Sequence, residues 1–429
     1  MPTPLEMVQE LAPMRRVICA PDYDRALGYL GTLLPFTVHE YPAGGTPHNG
    51  WVIPPRWQVR EASLRKDGAL VYDGLAHPLG VIALSAPFRG RLDLEELRPH
   101  LHVHHDHPDA IPFHYRQQFR SWRRDWGFCL PRRLYDALAP GAYDVVIDTE
   151  EGPGTLRVAE YEHRGALAAT IVIGADLDRP GVANDGVSGC AVGVEVMRRL
   201  RTRRTKFSYR LVLVPGTLGS EYYLGTLAPA RRAPLLEGVF LEMLGTATQL
   251  ALQRSREGRS ALEASLARAL TARRVDHRTG DFETIIINDE HVWEAYGIPM
   301  CSLSRCPYPE YHSSLDSAAA MRAAALDEAV DVLLAAIDAL EDTQLVTRLF
   351  SGTVCLSNPS YDLYVDPGEP VFGTAAPEPA LRLRRLMDLL PTLTRPTTTR
   401  ELAARVALPE SEVRDYLARW AAKGLLRID

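Results

Sequence analysis

The sequence has no uninterrupted apolar run of about 18 residues, so no segment reads as a membrane span. Its opening stretch, MPTPLEMVQELAPMRR, lacks the basic start and apolar core of a secretion signal, and a cytoplasmic protein is the expectation. Cysteine is scarce and scattered: Cys19, Cys129, Cys190, Cys301, Cys306 and Cys355, none in a CxxC pair. That spacing speaks against a zinc knuckle or a disulfide framework and predicts reduced, buried thiols. Charge of one sign is also missing. A net charge of −6 gives no global pull toward nucleic acid or an anionic membrane. What remains is an ordinary globular composition, 46% apolar and 24% charged, on a chain of 429 residues, long enough for two or three domains.

The stretch TIVIGADLDRPGVANDGVSGCAVGVEVMRRL, residues 170–200, organises the rest. An apolar strand-type run is followed by an acidic loop with Asp176, Asp178 and Asp185, then by a small-residue turn that opens a helix. Carboxylates at a strand end beside a helix start sit where open α/β sheets place their sites.

In chain order, residues 1–35 predict two amphipathic helices packed on the core. Residues 36–150 read as a small β-rich domain, with short β-type runs (TVHEY, GWVIP, ALVYD, GVIALSA) split by Gly and Pro turns. Two segments inside it allow two readings each. HLHVHHDHP is a metal cluster or, preferred, a solvated loop. FHYRQQFRSWRRDWGF is a stacking surface for single-stranded nucleic acid or, preferred, an amphipathic helix packing its aromatic face on the core. From 151 to 350 strand-type runs (including TIVIG, YRLVLVP, EGVFLEML, ETIII and PMCSLSR) alternate with helical ones, which predicts a mostly parallel sheet covered on both faces. Residues 351–380 read as a Pro/Gly-rich linker. Residues 381–429 read as a winged helix-turn-helix, with Thr398 and Glu401 forming a capping box. Its second helix balances Arg414, Arg419 and Lys423 against Glu410, Glu412 and Asp415. A groove-reading helix needs a positive face, so contact with protein or with a second subunit is expected rather than specific DNA binding.

Four residues at loop ends have metal-ligand chemistry: Asp176, Asp185, Asp289 in INDEH, and His312 in PYPEYHSSLD. Each alone is a common cap or core group. Converging carboxylates with an imidazole are how a divalent metal is held.

ANDGVSG at 183–189 resembles the corresponding segment of zinc aminopeptidases, whose aspartate bridges two metals. The segments GWVIPPRW, DAIPFHY, RRDWGFCL, YDVVID, LVPGTLGS and PEYHSSLD, together with the tail, resemble bacterial aminopeptidase-like proteins of unknown function with a C-terminal winged helix. The resemblance implies an α/β fold: a three-layer α/β/α zinc-aminopeptidase-like core, a small additional domain and a winged helix. By position it implies that Asp185 bridges, Asp289 binds the first metal, His312 binds the second, and Asp178 orients a ligand from behind.

This chain departs from that pattern. Asp176 stands where the family has histidine, and the family's adjacent glutamates, near Pro215–Gly216, are missing. Glu221, Glu290 and Glu310 are the candidates to replace the general base, Glu221 first. Arg305 is placed to bind a carboxylate or oxyanion, or equally to form a surface ion pair. Three carboxylates with one imidazole form an oxygen-rich set that leans toward manganese, magnesium or iron(II) relative to zinc, while affinity alone still favours zinc. The expected function is a metal-dependent hydrolase cleaving an amide or peptide bond in a small-molecule or peptide substrate. Its rivals are a divergent metalloenzyme of a specialised biosynthetic pathway and a catalytically inactive scaffold that binds a ligand or partner.

Overall fold

The computed structural model describes residues 1–45, 48–366 and 378–429. Its centre is an eight-stranded mixed sheet. The strands run in the order Thr37–Pro42, Thr155–His163, Ser208–Val214, Thr170–Asp176, Leu235–Leu241, Met300–Arg305, Leu250–Gln253 and His277–Gly280. The four from Ser208–Val214 to Met300–Arg305 are mutually parallel. These parallel strands are buried throughout their length, which is why they read as continuous apolar runs rather than alternating ones.

Alternate side chains feed two layers. Ile171, Ile173, Leu211 and Leu213 join the core under the helices Pro4–Leu11, Gly189–Leu200, Ala261–Ala272 and Ala323–Glu341. Val172, Val212, Val214 and Phe240 face the other way, against Tyr223, Leu224 and Trp293 of the helices Gly216–Thr226 and Glu290–Ala295. This is the expected three-layer core. The chain moves from Thr170–Asp176 to a strand on one side and then to a strand on the other. The order therefore switches at the carboxyl end of Thr170–Asp176, where a crevice opens. No helix among the described residues is long and apolar enough to cross a membrane.

The small domain is a four-stranded antiparallel sheet in the order Ala69–Asp73, Arg56–Lys66, Ala142–Gly152, Phe88–Asp93, closed over Trp57, Leu64, Val145 and Ile147. Its boundary differs from the expected residue 36. Thr37–Pro42 pairs with Thr155–His163 and edges the main sheet instead. Two of the β-type runs fold otherwise: Trp51 and Val81 form only isolated bridges. The aromatic-arginine segment is not an amphipathic helix. It holds a single 3-10 turn, Arg116–Phe119, and Trp122 is 62% exposed. Gln117 explains the looped path, because its amide receives the Asp125 N–H and donates back to the Asp125 carbonyl.

The tail has the expected helices, Glu378–Leu389, Thr399–Val406 and Glu410–Ala422. Thr398 accepts the Glu401 N–H, but the Glu401 carboxylate pairs with Arg405, so the capping is one-sided. The tail is also less separate than its sequence suggests. The middle strand of its three-stranded sheet is Leu345–Arg348, which lies before it in the chain. Residues 351–366 are not a free linker either, since Leu356 and Leu363 are buried with the tail's core. The rest of that expected linker, 367–377, lies outside the described residues.

Near the sheet edge, Glu160 is buried among cations and a phenol. Tyr223 donates to it at 2.8 Å, Arg231 pairs with it, His39 lies at 3.1 Å and the Arg210 Nε at 3.6 Å. Burial pushes this carboxyl up, but the hydrogen bonds and the arginines prevail and bring it down to about 2. The depressed value means that Glu160 stabilises the fold above the ordinary glutamate range and loses that contribution as pH falls toward 2. Glu160→Ala should cost about 2 kcal/mol at neutral pH by leaving the buried Tyr223 hydroxyl without its acceptor, Arg210 keeping Glu162 at 2.8 Å, and the gap from wild type should narrow in acid. Urea melts at pH 7 and pH 3 check both the size and the sign.

Candidate active-site cleft

The loop after Thr170–Asp176 is fixed from two sides. From below, buried Arg16 donates its Nε to the Leu177 carbonyl at 3.0 Å and an Nη to the Val182 carbonyl at 3.0 Å. From above, Asp316 gathers three backbone N–H groups: Ala183 at 3.1 Å, Asn184 at 2.7 Å and Asp185 at 2.9 Å. The glycines of ANDGVSG serve close approach. Gly186 has φ +85°, and a Cβ on Gly189 would meet the Leu241 carbonyl oxygen at 2.0 Å. The Asp185 side chain is thus aimed into the crevice by backbone geometry alone.

In the crevice the carboxylates meet a guanidinium. Arg179 places Nη2 at 2.8 Å from Asp176, Nη1 at 2.7 Å from Asp178, and Nε at 3.4 Å from Asp185. The three carboxylate side chains are fully buried. His312, in the left-handed region with φ +54°, sets Nε2 3.2 Å from the other Asp185 oxygen. Its ring lies against Tyr311 at 3.8 Å, stacked, with Tyr115 of the small domain edge-on at 5.0 Å. Asp289 completes the cluster. Trp293 donates to Ser220, which donates to one Asp289 oxygen.

The charges respond to this crowding. Burial raises the Asp176 carboxyl well above its usual range, with Arg179 opposing. Burial pushes Asp289 up to about 6, against the Ser220 hydrogen bond. Glu242, at the end of the Leu235–Leu241 strand, is also raised by burial and then by Asp185. Asp185 goes the other way: burial would raise it, but Arg179 and His312 outweigh burial and lower it.

The structure therefore brings together Asp176, Asp178, Asp185, Asp289 and His312, but around an arginine. Among the described residues no three His, Cys, Asp or Glu side chains are arranged to hold a metal ion. Arg179 stands between the donors, so the residues as placed do not fit the metal that the resemblance implies. Asp289 departs in one further respect. ETIII is a loop rather than a strand, and Asp289 sits at the N-terminus of the Glu290–Ala295 helix.

The proposed bases and the oxyanion binder lie elsewhere. The Glu221 carboxylate is taken by Asn49 at 3.0 Å, Tyr296 at 3.0 Å and His48 at 3.1 Å. Glu290 points to its own helix start, accepting the Asn288 N–H at 3.1 Å. Glu310 is half-buried, and its carboxylate does not pair with Arg179. Arg305 is buried and spent: it donates to the carbonyls of Leu244, Thr248 and Ala325 and pairs with Glu328 at 2.6 Å. In the histidine-rich segment, His102 and His114 tilt against each other at 4.4 Å, and His100 stacks on Trp126.

Arg179, Glu242 and Asp316 were not singled out from the sequence. For Arg179 a signal existed: one cation inside an acidic loop, directly after Asp178. Beside Tyr311 a hollow of about 550 Å³, lined by Met243, Ile285, Ile287 and Tyr308, adjoins the cluster. A larger hollow, about 820 Å³, lies by Glu160 and Arg210 and includes none of the cluster's residues.

Residues 5–343 match the family model described as Domain of unknown function (DUF4910). A Clostridium acetobutylicum protein, named for polysaccharide biosynthesis and an aminopeptidase-like domain, is 27% identical over 352 residues, 80% of this chain and 79% of that protein. A crystal structure from the same organism, described as a peptidase, superposes with a TM-score of 0.75 at 23% identity, covering 99% of this chain and 96% of the other. A zinc aminopeptidase from Bacillus subtilis superposes with a TM-score of 0.58 at 15% identity, covering 78% of this chain and 93% of its own. These likenesses show an aminopeptidase-like fold.

Asp316 carries the loop's position in this cleft. Asp316→Ala orphans three buried N–H groups and should cost on the order of 3 kcal/mol, with Asp316→Asn losing less. Urea melts of both variants measure the difference.

Proposed function

Since the chain belongs to the DUF4910 family, built on an aminopeptidase-like scaffold, we propose that it is a non-hydrolytic binding protein that holds a small-molecule or peptide ligand in the old catalytic cleft. One observation carries the reading: the Arg179 guanidinium spans Asp176, Asp178 and Asp185, in the space where a Lewis acid would have to sit. Two bases expected from the sequence are engaged away from this guanidinium, Glu221 with Asn49 and Tyr296 and Glu290 with the Asn288 N–H. The exposed Tyr311 ring stacked on half-buried His312, with the apolar hollow beside Tyr311, suits a ligand with a polar head and an apolar side chain.

A second reading, the metal-dependent hydrolase, is favoured by the oxygens that Arg179 leaves unbonded. Asp176 Oδ1 and Asp289 Oδ1 are buried without hydrogen-bond partners. The two readings separate on a panel of amino-acid amides, dipeptides and N-acetylated sugars, assayed with chelator and with zinc or manganese. The panel includes sugars because the Clostridium relative is named for polysaccharide biosynthesis. No turnover is expected under any condition, with some panel members raising Tm. Metal-stimulated turnover that Asp185→Ala abolishes would establish the hydrolase instead.

The tail belongs to the same proposal as a packing module rather than a DNA reader. Its basic residues are engaged: Arg414 donates to the Asp342 carbonyl at 2.7 Å, Arg419 to Asp362 at 2.7 Å and Lys423 to Ser360 at 2.9 Å. The joint with the core is polar, with Arg400 reaching Ser265 Oγ and the Ala339 carbonyl, each at 2.7 Å. Leu386 and Leu390 are buried in the tail's own core. Mobility shifts on random duplexes at physiological salt should show no sequence-specific band. A tight, salt-sensitive complex with a defined duplex would refute the packing role.

A further inference from the structure

We propose that Arg179 is a built-in substitute for a divalent cation, and that removing its guanidinium uncovers a metal site formed by Asp176, Asp185, Asp289 and His312. The inference rests on the non-hydrolytic reading and says what replaced the metal.

Burying several carboxylates together costs several kcal/mol per charge unless a cation joins them. Here that cation is covalently part of the chain. The planar fork serves Asp176 and Asp178 through separate Nη groups and leaves Nε facing Asp185. No single lysine could span three carboxylates in that way.

Gly216 opens the Gly216–Thr226 helix at the carboxyl end of the neighbouring strand, with φ +50°. A Cβ placed there would stand 3.5 Å from Arg179 Nη1 and 3.5 Å from Asp178 Oδ2. Both distances are ordinary van der Waals contact, so the Arg179 guanidinium packs directly against the start of this helix.

The donors that a metal would need are still present. Asp176 Oδ1 and Asp289 Oδ1 are buried without hydrogen-bond partners, and the two Asp185 oxygens face Arg179 Nε at 3.4 Å and His312 Nε2 at 3.2 Å. What blocks them is Arg179 itself, whose charge repels a second cation and whose fork fills the centre. An oxygen-rich set with one imidazole would accept manganese or zinc once that centre is free.

The test uses the full chain with Arg179→Ser and Arg179→Gln. Each protein is stripped with chelator, dialysed against manganese or zinc, and read by elemental analysis and thermal melting. Wild type should retain no stoichiometric ion, and its Tm should not respond to metal or chelator. The variants should melt lower in chelator, gain one ion per chain, and recover Tm on loading. Adding Asp185→Ala should abolish that gain. If the variants fold only when metal is present, the proposal is supported. The proposal is overturned if wild type already holds one ion per chain with equal affinity. It is equally overturned if both variants take up none, whether folded or unrecovered by metal. Peptidase turnover by wild type would sink the non-hydrolytic reading, whereas metal-free, inactive variants would sink this inference alone.

Discussion

The structure depends on one electrostatic constraint: a cluster of carboxylates at the carboxyl ends of the central strands that has to be held away from water. Asp176, Asp178, Asp185 and Asp289 are all fully buried, and Glu242 is next to them at 2% exposure. Arg179 neutralises part of this charge, and protonation relieves more, which is why burial moves Asp176, Asp289 and Glu242 upward while Asp185 moves down. Ion pairs of this kind add little net stability over an apolar core. Their geometry is exacting, however, and loops on every side are committed to holding it.

That commitment runs through two further charged side chains that never reach the cleft surface. Arg16, from the segment after the first helix, caps carbonyls of the acidic loop, and Asp316, after the last loop of the core, receives its amides. The loop is therefore satisfied at both donors and acceptors, as a buried non-regular segment has to be. The small domain adds the outer wall. Phe113 donates its N–H to the His312 carbonyl at 2.8 Å, and Tyr115 packs on the imidazole ring. The positive φ of His312 is held by these contacts, and it is the kind of local strain that binding and catalytic sites store.

An aminopeptidase-like sheet with its switch point is intact, as is the ANDGVSG turn whose glycines let the helix approach the Leu241 backbone. Asp176 pairs with Arg179, and Glu221 is held by His48 and Tyr296. A fold of this type supplies a crevice, and the chemistry in it is set by a few side chains.

From residues alone, the parallel core was legible, because strands buried on both faces leave uninterrupted apolar runs such as TIVIG and LVLVP. The placement of Asp176 and Asp185 was legible too, since the residue after such a strand lies at the mouth of the crevice. Other features were decided only by tertiary contacts. ETIII has strand composition, yet its Ile285 and Ile286 N–H groups go to the Gln253 side chain instead of a neighbouring strand. Thr37–Pro42 resembles the small domain in sequence but finds its partner in Thr155–His163, over a hundred residues away. The tail takes a strand from outside its own sequence for the same reason: edge hydrogen bonds are satisfied by whatever backbone lies nearby, and pattern does not record it. Arg179 is the sharpest instance. In the sequence it is one cation among exposed-looking acids. Whether it faces water or fills the carboxylate cluster depends on Asp176, Asp178 and Asp185 converging on it, and that convergence is a property of the folded loop rather than of the residue order.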